Sequence, residues 1–130
     1  TRRKTTNTGT MTLSDKQKIF TKNIGLLIAH AFANGYELTF GEVYRTLEQQ
    51  KIYFDTGRSK TMDSRHIQRL AVDFNLFVNG ELKNKPVDFF ALGEYWLTLH
   101  PDNVWGGDWN RNHSLTDEKF PDPYHFEMKP

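Results

Sequence analysis

The stretch from Leu70 to Gly80 constrains the fold more than any other part of the chain. Val72, Phe74 and Leu76 alternate with Ala71, Asp73 and Asn75, the period of a strand with one face on a core. Asn79-Gly80 then supplies the strongest short signal for a two-residue hairpin turn, returning through Glu81-Leu82. Asp73 therefore sits on the face opposite the bulky set, beside a small alanine. The end of the chain repeats the pattern, with His125 and Glu127 projecting one way and Tyr124 and Phe126 the other. His66 stands seven residues before Asp73, a spacing unlike that of two ligands on one helical turn. A loop and two strands must bring these groups together.

Two histidines and one carboxylate make a three-ligand zinc site with its fourth position open, the catalytic rather than the structural arrangement. His66, Asp73 and His125 are accordingly the expected ligands of one Zn2+ ion. Asp122, three residues before His125, is placed to act as the base for a hydrolytic water. The chain has no cysteine, which excludes thiolate zinc sites, thiol catalysis and a disulfide scaffold together.

The 130 residues suit one domain with a real core, and ten Phe, five Tyr and three Trp supply its bulk. A net charge of +1 gives no basic field for nucleic acid or a membrane surface. No apolar run approaches the ~20 residues of a membrane span, so membrane insertion is not expected. Residues 1–10, basic and then polar, read as a disordered or appended arm without signal-peptide character, leaving 11–130 as the domain.

From Met11 the pattern gives helices followed by strands. Ser14 and Gln17 match a capping box, and Ile19, Ile24, Leu27, Ile28 and Ala31 form an apolar face up to Asn34-Gly35. A strand is expected over 37–44, with Leu38, Phe40 and Val43 inward. Thr46 to Gln49 opens a short helix ending near Gly57, and 58–65 reads as loop. Helical spacing returns over 87–99, and short strands are expected within 103–109 and 124–128. Helices packed on a small antiparallel sheet make an α+β single domain.

Ser64-x-His66-x6-Asp73 followed by Asp122-x-x-His125 resembles the M15 group of zinc DD-peptidases and peptidoglycan endopeptidases, which includes many phage endolysins. Arg45 in Tyr44-Arg45-Thr46, with Gln50 five residues on, resembles the arginine segment that precedes the zinc motif there. Trp105-Gly106-Gly107-Asp108-Trp109 is similar to a stretch often found before the second histidine in the phage members. The likeness covers roughly 13–128, in the family's order. One position departs from it: Arg69 stands where many members have glycine, three residues after the first histidine. If that glycine served only a tight turn, Arg69 implies ordinary backbone geometry.

The resemblance implies zinc-dependent cleavage of a peptidoglycan stem peptide, at the L-alanyl-D-glutamate bond in the phage branch. It further implies a monomeric endolysin made in the host cytoplasm and acting on the wall of a Gram-negative host. In that reading Asp122 is the base and Arg45 binds the developing oxyanion or a substrate carboxylate. Gln50, Ser64 and Trp109 are candidate substrate contacts, with Trp105 a further candidate for the cleft wall, and Glu127 could orient a ligand histidine. The competing readings are a D-alanyl-D-alanine carboxypeptidase and, more remotely, a catalytically silent zinc-containing binding domain.

Overall fold

The computed structural model describes residues 11–59 and 64–130; the arm expected over 1–10 lies outside them, as does part of the 58–65 loop. The elements run in the order α1 (Leu13–Ala33), β1 (Tyr36–Phe40), α2 (Leu47–Asp55), β2 (Ala71–Val78), β3 (Glu81–Lys83), α3 (Pro86–Leu99), β4 (Asn103–Trp105) and β5 (His125–Met128). The strand order is β1-β2-β5-β4, and β3 also pairs with β2. Every pairing is antiparallel. This is the expected α+β domain.

β2 is the strand on which the sheet is organised. One edge pairs with β1 over Phe74 to Val78, and the other carries β5 over its first three residues and β3 over its last three. The turn Asn79-Gly80 has φ of 52° and 80°, the left-handed pair that a tight hairpin of this type demands. Val72, Phe74 and Leu76 are buried against α1 and α3, together with Phe126 and Met128 of β5. Phe20 of α1 meets Trp96 of α3 edge to face at 5.6 Å. Trp96 donates its indole N–H to the carbonyls of Val104 and Glu127, at 3.1 Å each, which locks α3 to β4 and β5. α1 and α3 thus take one face of the sheet, and the other is left for Asp73 and His125.

Two boundaries and the burial of three residues differ from the sequence reading, each for a local reason. α1 is capped by Thr12, whose side chain accepts from Asp15 N–H while the Asp15 carboxylate accepts from Thr12 N–H. That box starts two residues before Ser14 and uses Asp in place of Gln. β1 stops at Phe40, because at Gly41 the chain leaves the regular ladder; Gly41 N–H still donates to the Asp73 carbonyl at 2.7 Å, and Asp73 N–H to that of Glu42 at 2.8 Å. Phe40, expected inward, stacks on Phe74 at 5.4 Å yet remains 60% exposed at the end of an edge strand, and Val43 is exposed beyond it. Trp105 is fully buried rather than at the cleft wall, its ring wedged between Gly93 and Gly107, where any Cβ would fall within 2.3 Å of it.

Candidate active site

A cleft of about 520 Å³ opens on the sheet face away from α1 and α3, with Tyr53 of α2 on its wall. Its floor is β2 and β5, where Asp73 and His125 are directly paired in register. The turn after Ser64 brings His66 over them: Ser64 Oγ accepts the His66 N–H at 3.2 Å, and Leu70 N–H donates to the Arg65 carbonyl at 2.9 Å. Asp73 Oδ1 then lies 3.3 Å from His66 Nε2 and 3.2 Å from His125 Nδ1. The three candidate ligand atoms all fall within 4.8 Å of one another.

The donor set fits zinc. Ligand atoms at ~2.0–2.1 Å around a tetrahedral ion stand about 3.3 Å apart, the spacing seen here from Asp73 to each histidine. The two imidazoles offer different nitrogens. His125 turns Nε2 to Glu127 Oε1 at 2.7 Å, which fixes the ring and leaves Nδ1 for the cluster. His66 presents Nε2, while its Nδ1 is buried without a hydrogen-bond partner.

The electrostatics follow from this crowding. Burial alone would raise the Asp73 carboxyl, but hydrogen bonds and charge from His125 and His66 hold it well below the usual carboxylate range. Burial likewise opposes protonation of His125, yet Asp73 and Glu127 push its pKa up to about 9. The cluster is therefore built to hold positive charge between these rings. Asp122 also lines the cleft, and its pKa is raised, first by burial and then by the charge of Asp73, against the lowering effect of His125, His66 and Arg45. A carboxylate raised in this way is a stronger base than an exposed aspartate.

Asp122 is held by a close backbone crossing. Its N–H donates to the Gly106 carbonyl at 2.9 Å, and Gly106 N–H donates to that of His125 at 2.8 Å. A Cβ on Gly106 would stand 2.1 Å from the Asp122 carbonyl oxygen, so only glycine permits the approach.

Arg45 reaches the cleft from the segment between β1 and α2, its own N–H donating to the His66 carbonyl at 3.3 Å. Its guanidinium is already committed. Nε and one Nη2 hydrogen bond Glu42, and Nη1 donates to Gln50 at 2.6 Å and to Ser64 at 3.3 Å. With five N–H donors on the group, one Nη2 hydrogen is left for a substrate. Tyr53 lies beneath it, 4.8 Å from the guanidinium carbon to the ring centroid.

The remaining candidates divide. Ser64 and Trp109 line the cleft, and the Trp109 ring lies 5.4 Å from that of His125. Gln50 is fully buried behind Arg45 as its acceptor, rather than on the cleft wall as a substrate contact would be. Arg69 corrects the turn expectation: its φ is +58°, so the left-handed geometry that suits glycine is kept with a side chain in place. That side chain faces away from the cleft and lies over Tyr44 at 4.0 Å.

Glu42 and Arg58 carry no motif of their own and become visible only in three dimensions. Glu42 holds Arg45 and lies 3.9 Å from His66 Nε2, and Arg58 lines the cleft beside Tyr53. Glu94, Asp108 and His113 also gather possible ligands, but both Asp108 oxygens accept backbone N–H groups, from Asn112 at 3.2 Å and His113 at 2.8 Å.

The model of the phage L-alanyl-D-glutamate peptidase family matches residues 13–129. An L-alanyl-D-glutamate peptidase of Listeria phage A118 is 34% identical over 84 residues, which cover 60% of this chain and 28% of that protein. The L-Ala D-Glu endopeptidase ChiX of Serratia marcescens superposes with a TM-score of 0.66 at 19% identity, covering 85% of this chain and 77% of that one. The vancomycin resistance D,D-pentapeptidase VanY, solved in complex with Zn(II), superposes at 0.55 and 18% identity over 84% of this chain and 70% of the other. Both superpositions establish a shared fold.

Proposed function

Because the chain belongs to the phage L-alanyl-D-glutamate peptidase family, we propose that it hydrolyses the peptide bond between L-alanine and D-glutamate in the stem peptide of peptidoglycan. The observation that carries this reading is the convergence of His66, Asp73 and His125 on the floor of a cleft that also holds the half-buried carboxylate of Asp122. His66 Nε2, Asp73 Oδ1 and His125 Nδ1 would hold one zinc ion, which when bound supplies Lewis acidity to the attacking water and to the scissile carbonyl.

The chain's own residues do the rest. Asp122 takes the proton from the attacking water and returns it to the departing amine of D-glutamate. The last free Nη2 hydrogen of Arg45 stabilises the negative charge that develops on the carbonyl oxygen, and Glu42, Gln50 and Ser64 keep that guanidinium from turning away. Glu127 fixes His125 through Nε2 and so selects the nitrogen offered to the metal. Trp109 forms a wall on which the peptide can rest. The enzyme is read as a monomeric lysin acting on the host cell wall.

Digestion of purified sacculi, with the products weighed by mass spectrometry, tests the reading. New amino groups on D-glutamate and a stem peptide freed from L-alanine are expected. Free D-alanine with intact stem peptides would make the protein a carboxypeptidase, and intact sacculi would leave the silent binding domain.

A further inference from the structure

Resting on the activity proposed above, we propose that Arg58 is the subsite for the free α-carboxylate of D-glutamate on the leaving side of the scissile bond. Among the described residues three arginines line the cleft: Arg45, Arg58 and Arg65. Arg45 is bound to Glu42, Gln50 and Ser64. Arg65 donates to Gln68 at 3.3 Å and brings Nε within 3.9 Å of Glu127. Arg58 is exposed at the mouth and has no carboxylate partner among the described residues. The carboxylates that line the cleft among the described residues, Asp73, Asp122 and Glu127, belong to the reacting end, where Asp73 and Glu127 hold His125.

The position of Arg58 is fixed by its backbone. α2 ends at Thr56, Gly57 turns the chain with φ of +80°, and the N–H groups of Arg58 and Ser59 both donate to the Tyr53 carbonyl, at 2.8 and 3.0 Å. Since the Tyr53 ring also supports Arg45, the two arginines stand on one wall of the cleft. D-Glutamate in a stem peptide continues through its side-chain carboxyl, so its α-carboxylate remains free on the same carbon as the scissile nitrogen. An arginine fork suits such a planar anion through two parallel hydrogen bonds, and its charge need not be drawn from any acid of the protein. Arg45 would then meet the carbonyl side of the bond and Arg58 the amine side.

Two synthetic peptides test this, L-alanyl-γ-D-glutamyl-L-lysine and its counterpart with the glutamate α-carboxyl converted to carboxamide. The zinc-loaded wild type should prefer the carboxylate by about tenfold in kcat/KM, the scale of one charge-assisted hydrogen bond. Arg58→Gln should erase that preference, mainly through KM of the acid substrate, and Arg58→Lys should restore part of it. An unchanged ratio of the two specificity constants in Arg58→Gln would overturn the subsite while leaving the peptidase reading intact. Failure of the wild type to cleave either peptide or sacculi would overturn that reading and the subsite with it.

Discussion

Asp122 and His125 lie three residues apart, yet the proposed mechanism gives them separable tasks. His125 offers a nitrogen to the candidate ligand cluster, and Asp122 lies in the cleft without belonging to it. Asp122→Asn should therefore retain stoichiometric zinc and native circular dichroism while turnover falls by roughly 10²-fold or more. His125→Ala should lose the zinc itself, as metal analysis of the purified protein would show; a full complement of zinc there would remove His125 from the ligand set. A second histidine reports on charge alone. His113 is exposed and its pKa is raised from 6.5, first by its hydrogen bond to Glu94 and then by that group's charge. The pair contributes stability that is fully present below 6.5 and lost as pH rises through the raised value. The NMR titration midpoint of His113 should lie above 6.5 and return toward it in Glu94→Gln; an identical midpoint in both proteins would dissolve the pair.

Among the elements, β2 was readable because strand alternation is decisive when one face is buried: Val72, Phe74 and Leu76 went inward and Asp73 outward as the pattern required. The convergence of His66, Asp73 and His125 was legible too, since residue type and spacing both pointed at them. Gln50 was misplaced because a polar residue on a short helix gives no sign of which neighbour it will serve, and here the half-buried guanidinium of Arg45 claimed it. Glu42 and Arg58 were invisible because neither belongs to a motif: Glu42 meets Arg45 and His66, and Arg58 lines the cleft, only once the chain is folded. Arg69 shows that a turn can keep glycine's conformation without glycine; a left-handed residue costs ~1–2 kcal/mol, and its stacking on Tyr44 offsets part of that.

The crossing of Gly106 over Asp122 makes an element-level prediction. Gly106→Ala places a methyl group 2.1 Å from the Asp122 carbonyl oxygen, so the segment carrying the proposed base must move. Destabilisation of about 1–3 kcal/mol is expected, with zinc retained and kcat reduced at least tenfold. Unchanged kcat in a zinc-loaded Gly106→Ala protein would show that the crossing does not set the position of the base.

For the whole molecule, the ligand cluster joins the turn after Ser64, the central strand and the last strand, so the ion would bind the native state and not the unfolded chain. Its free energy then adds to folding as RT ln(1 + [L]/Kd), about 4 kcal/mol at a thousandfold excess over Kd. Chelation should lower Tm by several degrees, and added zinc should restore it, as differential scanning calorimetry would record. A Tm indifferent to chelator in a protein shown to have lost its zinc would mean that the cluster is rigid without the ion.

The hairpin Asn79-Gly80 has a practical consequence. Six strand residues at ~3.3 Å each put it about 20 Å along β2 from Asp73. The tip is exposed, and β3 beyond it pairs only with the far half of β2, away from the cleft. It is a grafting point. A flexible peptide tag or a cell-wall-targeting module inserted between Asn79 and Gly80 should leave zinc content and sacculus digestion close to those of the parent. Loss of digestion by a folded, zinc-loaded insertion protein would show that the tip and the cleft are mechanically linked after all.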